Sequence, residues 1–196
     1  MTADRLARAY AAFDAANAHD PVSVPGDDGA PVPREWINAR RVSTWLERMY
    51  PQAGEALRLA ARAHHLRRWE HPRSGYPMTR EGYLRWRAEL KRFHAEQAGA
   101  VLAQLGFDAD TLARTQALIR RERLKQDAEA QALEDAICLA FLQYDFDAFG
   151  PQHDEAKVIG IVRKTWAKMS PVGQAAAATL PLSPYAQGIV ARALGG

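Results

Sequence analysis

ALEDAICLAFL, Ala132 to Leu142, decides the fold class. From Ala136 to Leu142 no charged residue occurs, so a helix through this stretch is apolar on every side and belongs at the centre of a core. Asp127, a few residues upstream, has a side chain able to cap the opening of that helix. Further upstream, Asp108 caps a segment running to about Lys125. Thr79 opens a long helix whose apolar positions reach Leu105, where Gly106 is a good stop. Helical apolar spacing predicts two more helices, over about 53–69 and over 34–49, with Pro51 between them, and a first amphipathic helix over 3–18. Residues 19–33, with four prolines, two glycines and adjacent aspartates, predict a surface loop. Downstream, a helix is expected from about Glu155 to Met169, followed by a small-residue tail punctuated by Pro171, Pro181 and Pro184. No segment shows the β-branched alternation of strands and no repeat is visible, so the expected class is all-α, a single compact helical bundle around a buried central helix.

With 196 residues and 47% hydrophobic content the chain can bury one core. The expectation is one domain over 1–196, with its core at about 34–170, an N-terminal helix plus loop over 1–33 and a C-terminal tail or helix over 171–196. A net charge of +3 is mildly basic, so anionic partners are compatible with the chain but not demanded. Nucleic acid ranks low because 23 acidic residues are interleaved with the basic ones and no reading motif is present. The one cysteine, Cys138, lies in the most apolar segment and has no intrachain partner for a disulfide, which fits a reducing compartment. The first twenty residues lack a continuous apolar run, and no later stretch is long and uncharged enough to span a bilayer. The expected protein is cytoplasmic and does not associate with membranes; its oligomeric state is left open.

Chemistry concentrates in LAARAHHLRRWEHPRSGYPMTREGYLRWRAELK, Leu59 to Lys91, which sets His64 and His65 among arginines and aromatics and leads to His94. Leu57, Ala60, Ala61, His64 and His65 follow helical spacing, as do Leu90, His94, Ala98, Val101 and Leu105, so all three imidazoles are expected on core-directed faces. Ala132, Asp135, Ala136, Leu139 and Leu142 form a third such stripe, with Glu134 beside the carboxylate. A buried carboxylate needs a pairing cation, hydrogen bonds or a metal, so these groups are expected to find one another. Neutral imidazole and carboxylate are donors suited to Mn, Fe or Zn.

The span from about Trp36 to Ser170, with HHLRRW, YLRWR, LEDAICLAFL and RKTWAKMS, resembles a family of uncharacterised bacterial and fungal proteins, the domain of unknown function 4202. More distantly, AARAHHLRR at Ala60 to Arg68, the segment from His94 to Ile119, and EAQALEDAICL at Glu129 to Leu139 are similar to the ligand-bearing helices of HD-domain metal-dependent phosphohydrolases. Two departures stand out: the pair is His-His rather than His-Asp, and Arg40–Arg41 and the RRER of Arg120 to Arg123 stand where further histidines would be expected. That resemblance implies metal-assisted phosphoester hydrolysis. His64, His65, His94 and Asp135 would be ligands to a divalent transition metal, and Glu134 the base. Arg67, Arg68, Arg73, Arg87 and Lys91 would then hold phosphate, and Trp69, Tyr76, Tyr83 or Trp86 would stack on a planar group. The substrate expected is a nucleotide or other phosphorylated small molecule.

Plainer readings stand beside these. Asp135 hydrogen-bonded to His94 or His65 would make a purely structural network. His64 reads equally as a packed neighbour, Tyr83 and Trp86 as core, and RRERLK, Arg120 to Lys125, as a solvated helix end where cations suit the macrodipole. Trp166, within RKTWAKMS, either packs over the site or binds a partner. The alternative function is a non-catalytic anion-sensing or regulatory module with a metal-free Arg/His pocket.

Overall fold

The computed structural model describes residues 2–195, which form ten α-helices and one minimal hairpin. The class is all-α. Contacts divide the chain into two compact units, Met1–Arg123 and Leu124–Gly196.

The first unit contains α1 (Thr2–Asn17), β1 (Ser23–Pro25), β2 (Pro31–Pro33), α2 (Arg34–Met49), α3 (Glu55–Ala63), α4 (Arg80–Gln104) and α5 (Ala109–Arg120). α3 packs against α1, α2 and α5, and α5 packs along α4. Phe13, Leu46, Leu59, Leu66, Leu102, Leu118 and Ile119 are among its largest fully buried side chains. The expected stop at Gly106 is observed: Gly106 takes φ 75°, Phe107 N–H reaches the Leu102 carbonyl, and Asp108 caps α5 by accepting from Thr111 N–H. Thr79 caps α4 through the Gly82 amide.

Three expectations need correction in this unit. Residues 19–33 are not purely loop, because Val24 pairs with Val32 in an antiparallel ladder closed by Gly26 N–H to the Ala30 carbonyl. Prolines at 25, 31 and 33 cannot donate to a ladder, which keeps both strands to three residues. The helix predicted to Trp69 ends at Ala63, and the chain tightens through Leu66 N–H to Ala63 O and into a 3-10 turn at Arg68–Glu70. Arg67, at φ 54°, is in the left-handed region and cannot continue a right-handed helix. Likewise α5 stops at Arg120 rather than near Lys125, because Arg121 turns left-handed at φ 56°.

α2 opens without a side chain of its own at the cap position, which Pro33 occupies. Asp20 supplies the missing acceptor from the preceding loop: it takes Glu35 N–H at 3.0 Å and Val22 N–H at 2.9 Å. That bond fixes where Glu35 enters the helix.

The second unit contains α6 (Ala128–Ala140), α7 (Phe146–Phe149), α8 (Glu155–Lys168), α9 (Pro171–Ala177) and α10 (Pro184–Leu194), with a π-helical turn at Phe141–Asp145 joining α6 to α7. α6 packs on α8 and α9, and α8 on α10. Leu133, Ala136 and Leu139 are fully buried, so the apolar stretch that signalled a core helix does build one. The tail is helical because Pro171 and Pro184 stand at first helical turns behind the caps Ser170 and Ser183, so these prolines open helices rather than merely ending them. Trp166 lines a cleft of about 360 Å³ with residues of α9, α10 and their connection. No helix among the described residues is long and apolar enough to cross a membrane.

Candidate functional site

Three of the four expected ligands come together in the first unit. The end of α3 delivers His64 and His65 and the middle of α4 delivers His94, with ring centroids 4.1 Å apart for His64 and His65 and 5.5 Å apart for His65 and His94. His64 Nδ1 donates to the Ala61 carbonyl at 3.0 Å and His94 Nδ1 to the Leu66 carbonyl at 2.8 Å, which leaves the lone pair on Nε2 in both rings. His94 Nε2 is buried with no hydrogen-bond partner among the described residues.

His65 is held differently. Its Nε2 lies 3.4 Å from Arg68 Nη1, which can only donate, so Nε2 is the acceptor and the proton belongs on Nδ1. Nδ1 stands 3.3 Å from Oε2 of Glu35. Glu35 is 2% exposed, and its other oxygen lies 3.6 Å from Arg68 Nε and 3.5 Å from Arg34 Nε. An inward carboxylate is affordable there because two guanidiniums and an imidazole surround it.

Electrostatics favour neutral rings. Burial holds His64 well below the ordinary histidine range, helped by neighbouring His65 and by Arg121. Burial does the same to His65, followed by the Arg68 guanidinium and His94. For His94 burial is again the main cause and takes the pKa down to about 4. Arg68 is lowered chiefly by burial and further by Arg87, Arg34 and Arg121, while Glu35 works in the opposite direction. Four guanidiniums thus act on one region whose buried carboxylate is Glu35.

The remaining expected residues sort by what they touch. Arg68 and Arg87 belong to the histidine cluster, and Lys91, one turn beyond Arg87 on α4, is half-buried. Trp69 is half-buried in the 3-10 turn. Arg67 turns its side chain to a shallow cleft against Ala12, Ala15 and Val101, with Glu70 at 3.9 Å. Arg73 spends its guanidinium on the carbonyls of Tyr76, Pro77 and Thr79, which ties its own loop rather than presenting a phosphate clamp. The Tyr76 hydroxyl bridges His71 and Glu89. Trp86 is 7% exposed, donates to the His71 carbonyl and carries the Arg68 guanidinium 5.4 Å from its ring centroid, so it packs as core.

Asp135 and Glu134 belong to the second unit. Asp135 is fully buried and takes Ser170 N–H at 2.8 Å, Ser170 Oγ–H at 2.5 Å and Gln131 Nε2 at 3.0 Å. Ser170 Oγ in turn caps α9 at Gly173 N–H. A Cβ on Gly173 would come within 2.7 Å of the Asp135 carboxyl carbon, so glycine is needed for this close approach. Glu134 is 5% exposed and lies 3.6 Å from Lys168 Nζ.

Both His65 nitrogens face charged side chains, both Asp135 oxygens carry hydrogen bonds, and no group of three or more His, Cys, Asp or Glu among the described residues is arranged to hold a metal. Sequence reasoning missed Glu35, Arg34, Asn17 and Asp20, and singled out Arg121 only as part of the RRER run. Glu35 stands second in α2, two residues after Pro33, where an acid ordinarily serves the macrodipole from solvent, and the Asp20 cap on its N–H fixes its entry into the helix.

The chain belongs to the domain-of-unknown-function family DUF4202, whose profile matches residues 7–190. No curated protein and no solved structure matches the chain.

Proposed function

We propose that this DUF4202 protein recognises the phosphate of a nucleotide or other phosphorylated small molecule at the histidine cluster, through guanidinium groups and without a metal. One observation carries the reading: Arg34 and Arg68 both approach the one buried carboxylate of Glu35, at 3.5 and 3.6 Å, and Arg87 acts on the same region, beside imidazoles that burial keeps uncharged. A local surplus of positive charge is relieved by a bound anion, and planar guanidinium forks match phosphate oxygens. A cytoplasmic setting, where such ligands abound, accords with the lone buried thiol of Cys138. The test is thermal unfolding with inorganic phosphate, AMP and ATP. A midpoint that rises with ligand in the native chain but not in Arg68→Met supports the proposal, and an unmoved midpoint in the native chain ends it.

A metal-dependent phosphohydrolase of HD-like type is the second reading, with Mn, Fe or Zn as the ion. What favours it is His94, whose Nδ1 is tied to a backbone carbonyl while Nε2 is left without a hydrogen bond, the state in which ligating imidazoles are usually held. Stoichiometric metal in the purified protein, lost in His94→Gln, would bring this reading forward.

A further inference from the structure

We propose that His65 is a nucleophile that accepts a phosphoryl group from a phosphomonoester, with Glu35 as its positioning residue. This rests on the phosphate-recognition reading above and adds a reaction to it.

Among the clustered imidazoles only His65 combines a defined lone pair with access. His64 and His94 are 4% and 2% exposed and are tied to backbone carbonyls, whereas the His65 side chain is 23% exposed. Its tautomer follows from Arg68, whose Nη1 points a donor at Nε2 and so leaves the proton on Nδ1, which faces Glu35 Oε2 at 3.3 Å without a hydrogen bond between them. A carboxylate behind Nδ1–H stabilises the positive charge that develops on the ring as Nε2 forms a bond, which is the logic of a base or nucleophile oriented by a third group. The Arg68 contact to Nε2 is long, at 3.4 Å, and a phosphoryl group entering there would receive that guanidinium on its oxygens. The backbone supports the placement: His65 lies between the last turn of α3 and the left-handed Arg67, so its ring is fixed by the turn.

The Nε2 lone pair forms the P–N bond while the P–O bond to the alcohol breaks. The departing oxygen keeps the electron pair and takes a proton from water. A second water then attacks phosphorus and the P–N pair returns to Nε2. The hydroxide left from the first step removes the proton of the attacking water. The sum is phosphomonoester plus water giving alcohol plus phosphate, with His65 regenerated and no oxidant, reductant or metal consumed.

The experiment uses the full chain, freed of metal with EDTA, and p-nitrophenyl phosphate. Expected are release of p-nitrophenol and a mass increase of one phosphoryl group on the peptide carrying His65, labile in acid and stable in alkali. His65→Gln should abolish both. Glu35→Gln should lower kcat by roughly 10- to 100-fold at little changed KM, the scale of an orienting partner. Phosphate stabilisation of the native chain without turnover or adduct overturns the nucleophile and leaves the binding site intact. An adduct on another residue, or turnover that appears only with added metal, also overturns it. Absence of phosphate stabilisation removes the reading beneath. Should Glu35→Gln fail to fold, the adduct on the native chain and its loss in His65→Gln still decide the matter.

Discussion

The amide N–H of Arg67 donates to the side-chain oxygen of Asn17 at 3.0 Å, so the last residue of α1 holds the left-handed turn that follows the paired histidines. The same Asn17 side chain donates from Nδ2 to the Glu35 carbonyl at 3.3 Å, and at 1% exposure it is out of water's reach. One amide thereby sets the spacing between the α2 segment carrying Glu35 and the turn carrying His65.

Asn17→Ala should therefore cost about 1–3 kcal/mol, since it leaves a buried carbonyl and a part-buried N–H without a partner. Urea denaturation measures the loss. Phosphate affinity should fall as well, because the Glu35 to His65 distance is no longer fixed. A variant as stable as the native chain would show that this amide carries no such function.

Left-handed arginines at Arg67 and Arg121 hold backbone conformations that cost L-residues roughly 1–2 kcal/mol. Glycine relieves that strain, and Arg121 follows the C-terminus of α5, where glycine is favoured. Arg67→Gly should raise the thermal midpoint, because its exposed side chain approaches Glu70 no nearer than 3.9 Å and the bond from its backbone N–H to Asn17 is kept. A lower midpoint would refute this.

Stability should decline on acidification through the histidine cluster. His94 has a folded pKa of about 4 against an ordinary value of 6.5, so between these limits the unfolded chain binds more protons than the folded one. Its contribution is complete above pH 6.5 and is lost as pH falls to about 4, for a total of about 3 kcal/mol. His64 and His65 shift in the same direction and steepen the fall. The urea midpoint should drop across this window, with a shallower slope in His94→Gln; parallel slopes would count against the prediction.

In the second unit, Asp135→Ala should destabilise by about 3 kcal/mol, because the amide and hydroxyl of Ser170 lose a buried charged acceptor and the start of α9 loses its anchor. Gly173→Ala should cost about 1–3 kcal/mol by overpacking against the same carboxylate. Calorimetry on the two variants tests both figures.

Helix positions were legible because their signals are local. Apolar spacing and the caps Thr79, Asp108 and Asp127 act within a turn or two of chain, and each is found as the residues predict. The early end of α3 was not legible: the segment to Trp69 keeps helical periodicity, whereas the chain turns left-handed at Arg67, whose N–H donates to Asn17, fifty residues away. The convergence of His64, His65 and His94 was readable from helical faces. Asp135 was correctly placed in a core by periodicity, but that argument cannot name a partner, and Ser170 is one that only folding supplies.

The sequence by itself determined an all-α chain, its principal helices and the burial of His64 and His94, since spacing along a helix fixes which side chains share a face. Tertiary structure alone decided that Glu35, capped from Asp20, would be the carboxylate beside His65 and that arginines from separate segments would surround it. Charge pairing of that kind depends on distances in space between residues remote in the chain, and no local pattern encodes them.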